Sequence, residues 1–282
     1  MIRRMLAVVG LCIAASSAQA IDFSTADALF QKREEGKDKV LEARNAYASL
    51  VGQTSGADKL YAIGQMARLD YVLGEVLLPK SEKSKRKQIF SGCLDYVEGI
   101  SPANYGEKTE DYYTWKLMCF AFWADSASVL ERVGRVSELK GLISEALPLT
   151  TNDDGVYVGT LEGGAIGRYV GAIYGDPQAE PVGLYKPDVA RKLIYEARNA
   201  ASRSDRAFPE PLSGEDYFEN TYTIASTLIK AGDNDTAIIE LEDGIELIED
   251  MIADGALPKG REFEAKFILN DRLKPMLDDL ND

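Results

Sequence analysis

Glycines recur at four-residue intervals through the middle of this chain, at Gly155, Gly159, Gly163, Gly167, Gly171 and Gly175, with another at Gly164. An α-helix repeats every 3.6 residues, so whatever part of the ladder is helical carries a stripe bare of side chains along one side. Each glycine inside a helix costs roughly 1 kcal/mol relative to alanine, so three or four imply a penalty of about 3 to 4 kcal/mol that some contact must offset. Either another backbone lies on the stripe or the stripe lines a cavity. A membrane-helix dimer, the other use of such spacing, conflicts with Glu162 and Arg168 in the same stretch.

The rest of the chain reads as one amphipathic helix after another. Val40 to Val51, Leu60 to Leu78 and Ile224 to Ile252 place apolar residues three and four apart, and proline falls between such segments, at Pro79, Pro102, Pro148, Pro177, Pro181, Pro187, Pro209, Pro211 and Pro258. One spacing recurs: Gly36/Leu41/Asn45/Ala48, Lys85/Phe90/Leu94/Val97, Gly134/Leu139/Ile143/Ala146, Tyr185/Ala190/Ile194/Ala197 and Gly232/Ala237/Leu241/Gly244. Its second members are separated by 49, 49, 51 and 47 residues. Hairpins too small to bury their own apolar faces, each covered by the next, produce such a period. Arg261 to Leu280 then forms a terminal capping helix with a break at Pro275. No linker interrupts the pattern, so residues 21–282 are read as one all-α repeat domain.

The start, Met1-Ile2-Arg3-Arg4 followed by an apolar stretch and Ala18-Gln19-Ala20, has the pattern of a secretory signal peptide over residues 1–20, which predicts a periplasmic or secreted product. Cys12 follows Leu11 and lacks the setting of a lipoprotein site. Beyond Ala20 the longest apolar run, Leu117 to Ala124, is too short to span a membrane. The net charge is −14, and loss of Arg3 and Arg4 with the leader takes it to −16, a balance that repels nucleic acid and anionic membranes. Cys93 and Cys119 sit on consecutive predicted helices, either bonded to each other or held as two buried thiols. With no histidine in the chain, a Ser-His-Asp or Cys-His arrangement and an ordinary zinc site are excluded. No metal or cofactor is expected.

The turn-small-apolar-small spacing is that of tetratricopeptide repeats, best seen in Ala225 to Leu241, although a period near 49 exceeds the ~34 residues of that repeat. Gly163-Gly164-Ala165-Ile166-Gly167-Arg168-Tyr169-Val170-Gly171, followed by Asp176-Pro177 and a helix from Pro187 to Ala201, resembles the T component of tripartite ATP-independent periplasmic (TRAP) transporters. The resemblance covers Tyr112 to Ile252. It implies a right-handed α-solenoid of about five TPR-like hairpins with a C-terminal capping helix, and a periplasmic protein partner such as a solute-binding receptor.

Candidate binding residues cluster at the ladder. Glu162 and Arg168 are six apart and share no helix face, so Arg168 is free to meet either an acid of a neighbouring hairpin or a carboxylate ligand, with Tyr157 or Tyr169 as a wall beside Gly163, Gly167 and Gly171. Trp115 and Trp123 belong to a helix that is apolar nearly all round, which either sits at the centre of the core or shows an aromatic surface. Paired acids such as Asp153-Asp154 are what an acidic composition produces by itself, and Asp233-Asn234-Asp235 lacks the glycine and distal glutamate of a calcium loop. These features predict an exported, non-enzymatic helical-repeat protein that binds a protein partner or a small apolar or carboxylate ligand and is compatible with homo-oligomers, and the resemblance implies a role as an accessory to a TRAP-type transport system. The alternatives are an exported carboxylate-dependent hydrolase and a structural scaffold of the cell envelope.

Overall fold

Three- and four-residue apolar spacing leaves the chain little but helix to form. The computed structural model describes residues 22–100, 109–200, 217–258 and 260–282, and among them are thirteen α-helices and no strand. The leader and Pro102, Pro209 and Pro211 lie outside the described residues. The short α1 (Ser24–Phe30) leads to α2 (Lys37–Val51) and α3 (Gly56–Tyr71), then α4 (Lys83–Glu98) and α5 (Thr109–Ser126), then α6 (Val129–Gly134) and α7 (Val136–Ala146). After an irregular stretch come α8 (Ala165–Tyr174), α9 (Pro187–Asn199), α10 (Phe218–Lys230), α11 (Asn234–Ala253), α12 (Arg261–Ile268) and α13 (Lys274–Asn281). Local chemistry sets the boundaries. Ser128 and Glu131 form a reciprocal capping box on α6, Pro187 opens α9 where its missing N–H costs nothing, and Gly232, at φ 79°, turns the chain from α10 to α11.

The repeated spacing maps onto alternate helices, α2, α4, α7, α9 and α11. Phe90, Leu94 and Val97 are buried, as are Ile143 and Ala146, Ala190, Ile194 and Ala197, and Ala237, Leu241 and Gly244. The first copy needs a correction: Leu41, Asn45 and Ala48 are exposed, and Val40, Ala43 and Tyr47 are buried instead. α2 also packs on α1, and that second neighbour draws its buried face round by one residue, about 100°.

The intervening helices face inward. α3 packs on α5, α5 on α8, α8 on α10 and α10 on α12, and α12 returns to the π-helical turn Val72–Val76 that continues α3. The inner helices therefore close on themselves. The expected terminal cap is revised accordingly: α12 completes this ring, a second π turn, Leu269–Leu273, follows it, and α13 packs on α11. In each π turn one residue lies four before a proline, Glu75 before Pro79 and Asp271 before Pro275. The N–H that would close the α-helical bond is missing there, and the helix widens.

α5 explains its own composition. It packs against α3, α4, α7 and α8, so an apolar surface all round is what its place requires. A disulfide between Cys93 and Cys119, whose Cα atoms are 5.6 Å apart, ties it to α4. Trp115 lies on Gly64 of α3, where a Cβ would come within 2.7 Å of the indole.

The glycine ladder is less helical than its spacing suggests. Gly155 turns the chain at φ 72° and Gly159 precedes the helix, so only Gly167 and Gly171 lie inside α8 and the penalty is about 2 kcal/mol. A Cβ on Gly171 would stand 2.3 Å from Ile194 Cγ2, and one on Gly164 2.8 Å from Ala197 Cα. The stripe is the seam where α8 crosses α9.

Candidate functional site

Closing a ring of helices leaves an axial space that the side chains fill only in part. A cavity of about 280 Å³ remains, walled by α3, α5, α8, α10 and α12 with Phe30 of α1. Cations and acids alternate on its lining: Arg68, Lys80, Arg168, Lys230, Arg261 and Arg272 against Glu75, Asp125, Glu162, Glu219 and Glu264. In a chain whose net charge is −14 the balance of sign is thus reversed at the cavity wall.

These charges form two groups, one at each end of the inner helices. At the N-terminal ends of α8, α10 and α12, Arg68 Nε donates to Glu162 Oε1 at 2.8 Å, Arg261 pairs with Glu219 at 3.4 Å and with Glu264, and Arg33 Nε donates to Glu264 at 2.7 Å from behind the wall. The cations of this group are buried, with Arg33 at 0%, Arg261 at 4%, Arg168 at 5% and Arg68 at 8% exposure, while Glu162 and Glu219 are half-buried. This is a floor. Burial works against the carboxylate of Glu264, yet the flanking Arg33 and Arg261 hold it below the ordinary glutamate value.

At the other end Arg86 pairs with Glu75 and, at 3.2 Å, with Asp125, while Arg272 reaches Glu75 at 3.0 Å. Glu75 and Arg272 come from the two π turns, whose extra residue redirects side chains that a regular helix would aim elsewhere. Here the cavity opens. Asp125 is 64% exposed, Lys80 is exposed, and Lys230 pairs with Asp176 at 2.9 Å on the rim. Partial burial and the nearby Arg272 lower the pKa of the Lys80 ammonium. On α3 the floor residue Arg68 and the mouth residue Glu75 are seven positions apart, and on α12 Arg261 and Arg272 are eleven apart. At the α-helical rise the well is roughly 10 to 16 Å deep.

Between the ends runs an aromatic belt. The ring of Phe122 lies 5.3 Å from that of Tyr71 and 6.1 Å from that of Tyr169, and Tyr222 and Phe267 complete the lining under the guanidinium of Arg272, 5.8 and 4.9 Å away. An apolar belt between two polar ends, reached from one side, is the usual form of a small-ligand site.

The turn that builds the floor is unusual. Glu162, Gly163 and Gly164 all have positive φ, 52°, 59° and 79°. Glu162 has a Cβ, so its conformation costs on the order of 1 kcal/mol. The turn points the Glu162 carboxylate at Arg68 and its carbonyl at Arg168 Nη1, 3.0 Å away. Asn220 clamps the arrangement, accepting from Arg168 Nη1 at 2.9 Å and donating to Gly163 O at 2.8 Å.

Of the residues singled out by the sequence, Glu162 and Arg168 therefore line the well. Gly163 is packed under Tyr217, Gly167 under Tyr157 and Gly171 under Ile194, all in or beside the α8–α9 seam. Trp115 and Trp123 are buried in the core around α5. Spacing does not single out Arg68, Tyr71, Glu75, Glu219, Arg261, Glu264 or Arg272. Their signal was charge inside otherwise apolar helices, as in Arg68 between Ala67 and Leu69. Among the described residues no helix is long and apolar enough to cross a membrane, and no group of acids or cysteines is arranged to hold a metal ion. No protein-family model and no curated protein matches the chain.

Proposed function

We propose that the chain is an exported, non-enzymatic binding protein: a TPR-like right-handed solenoid closed by α12, whose axial well holds a small organic ligand. The observation that carries this reading is the well itself, with buried arginines at one end, an aromatic belt and, at the other end, Asp125 and Lys80 in solvent. Its acids do not support the hydrolase alternative. A general acid needs a carboxyl whose pKa is raised toward neutrality, whereas every acid on this lining contacts an arginine. The carboxyl that burial does raise, Asp70, is paired with Arg44 at 2.5 Å and hydrogen-bonded to Tyr96 away from the well.

The resemblance to TRAP T components extends the proposal to a role beside a periplasmic solute receptor, with the well receiving or presenting the solute. Ligand-observed NMR on a panel of small aromatic and aliphatic acids and alcohols tests the binding reading. Binding that is lost in Ala172→Trp, which fills the belt, while the melting temperature is retained supports it. Equal binding by the filled variant, or none by the unaltered chain, contradicts it. Capture of a solute receptor from the periplasm by the chain tests the transport role separately.

A further inference from the structure

Helix α6 is folded without contributing to the core. It buries none of its residues, yet Ser128 and Glu131 cap it and Lys87 of α4 reaches Glu131 at 2.9 Å, so it is held in one place. Its apolar residues Val129, Leu130 and Val133 stand one, three and four positions from one another, which puts them on a single face. They are 66%, 83% and 54% exposed, and Leu130 and Val129 are the two most exposed large apolar side chains among the described residues. A contiguous apolar face left in water marks contact with something outside the chain.

The charge around the face identifies that contact. The chain as a whole carries −14, and Ile239, the next most exposed apolar residue outside α6 at 57%, has the acids Asp235, Glu242 and Asp243 within about one turn of it. At α6 the balance is the reverse. Arg132 flanks the apolar face and Lys83 lies one turn before Lys87 on α4; both are exposed and make no ion pair among the described residues. The acids nearby are already matched, Glu82 by Lys85, Glu131 by Lys87 and Asp125 by Arg86. Protruding apolar side chains among unmatched cations suit an anionic lipid surface, which takes the apolar groups into its headgroup boundary while its charge meets the cations. Three side chains supply well under the roughly 800 Å² per partner that a stable protein interface buries, whereas a bilayer requires no matching shape.

We propose that α6 and the start of α4 dock the chain on the surface of an anionic bilayer without spanning it. α6 begins just beyond Asp125, a residue of the cavity rim, so the docked chain turns the open end of the well toward the lipid. The acidic remainder of the surface is repelled, which selects this orientation over the others.

Co-sedimentation of the full chain with vesicles of phosphatidylcholine and phosphatidylglycerol in equal parts, and with vesicles of phosphatidylcholine alone, tests this at physiological ionic strength. The anionic vesicles are expected to bind roughly twenty-five-fold more tightly, about fivefold for each of the two unmatched cations. Leu130→Asp should weaken binding roughly ten- to hundredfold, and Arg132→Ser about fivefold on the anionic vesicles and not at all on the neutral ones. Ile239→Asp on α11 should leave both unchanged. All three side chains are exposed, so each variant is expected to keep the parent melting temperature, and a lost signal then reports docking and not unfolding. Undiminished binding by Leu130→Asp, or equal binding to the two kinds of vesicle, overturns the proposal. No binding to either overturns it as well and leaves α6 to a protein partner.

Discussion

The floor and the mouth of the well use the same chemistry with opposite consequences. Both join arginines to carboxylates across neighbouring inner helices. At the floor the arginines and Glu264 are buried between helices, so each ion is held by the others and removing one strands the rest. At the mouth Glu75, Arg86 and Arg272 are buried too, but Asp125 and Lys80 on its rim meet water, which solvates either of them alone. The difference teaches that ion pairing stabilises this fold where water is excluded, and that one end of the ring can stay open at little expense in stability.

The largest effect should come from breaking the floor. Glu264→Leu leaves Arg33 and Arg261 buried without their shared partner and is expected to lower stability by about 3 to 5 kcal/mol, measured by urea unfolding. A loss below 1 kcal/mol would erase the contrast with the mouth. Next is the disulfide, whose cysteines are buried and 26 residues apart. Replacing both with alanine should cost about 3.5 kcal/mol on a chain-entropy basis. The α8–α9 seam follows: Gly171→Ala sets a methyl against Ile194, and about 1 to 3 kcal/mol is expected from overpacking, to be checked by the shift in melting temperature. The smallest effect belongs to the mouth, where Asp125→Asn should change stability by less than about 1 kcal/mol.

Acid sharpens the same comparison. The Glu264 carboxyl is depressed below its ordinary value of 4.5, so its stabilisation is fully present above that pH and lost as the pH falls below it through the folded value. A Glu264→Gln variant should therefore show a shallower loss of stability below pH 4.5 than the parent chain, and parallel curves would deny the floor this role.

What the sequence made legible follows the same division. The recurring spacing is carried by α4, α7, α9 and α11, outer helices with one wet and one dry face, where periodicity reports burial directly. Of the inner helices only α12, with Glu262 and Lys266, and the first turn of α3 meet solvent along a face. One side meets the core and the other the well, so α5 reads as apolar all round and α3 as a core helix with stray charges. The helical part of the glycine ladder, Gly167 and Gly171, is a packing seam, whereas the wall of the well beside it is shaped by the positive-φ turn at Glu162, Gly163 and Gly164 that ends just before α8. Arg168 was legible as a charge within a bare stripe. Its companions were not, because the floor joins Arg33, Arg68, Glu162, Glu219 and Glu264 from five separate segments. Arg33 and Glu264 are 231 residues apart, and no local pattern connects them.

The account rests on the ring of inner helices enclosing a well that admits a small ligand, and a crystal structure of the chain soaked with 4-bromobenzyl alcohol tests it most directly. The prediction is an anomalous bromine signal in the belt beside Phe122 and Phe267. Bromine density only outside the ring of inner helices would contradict it.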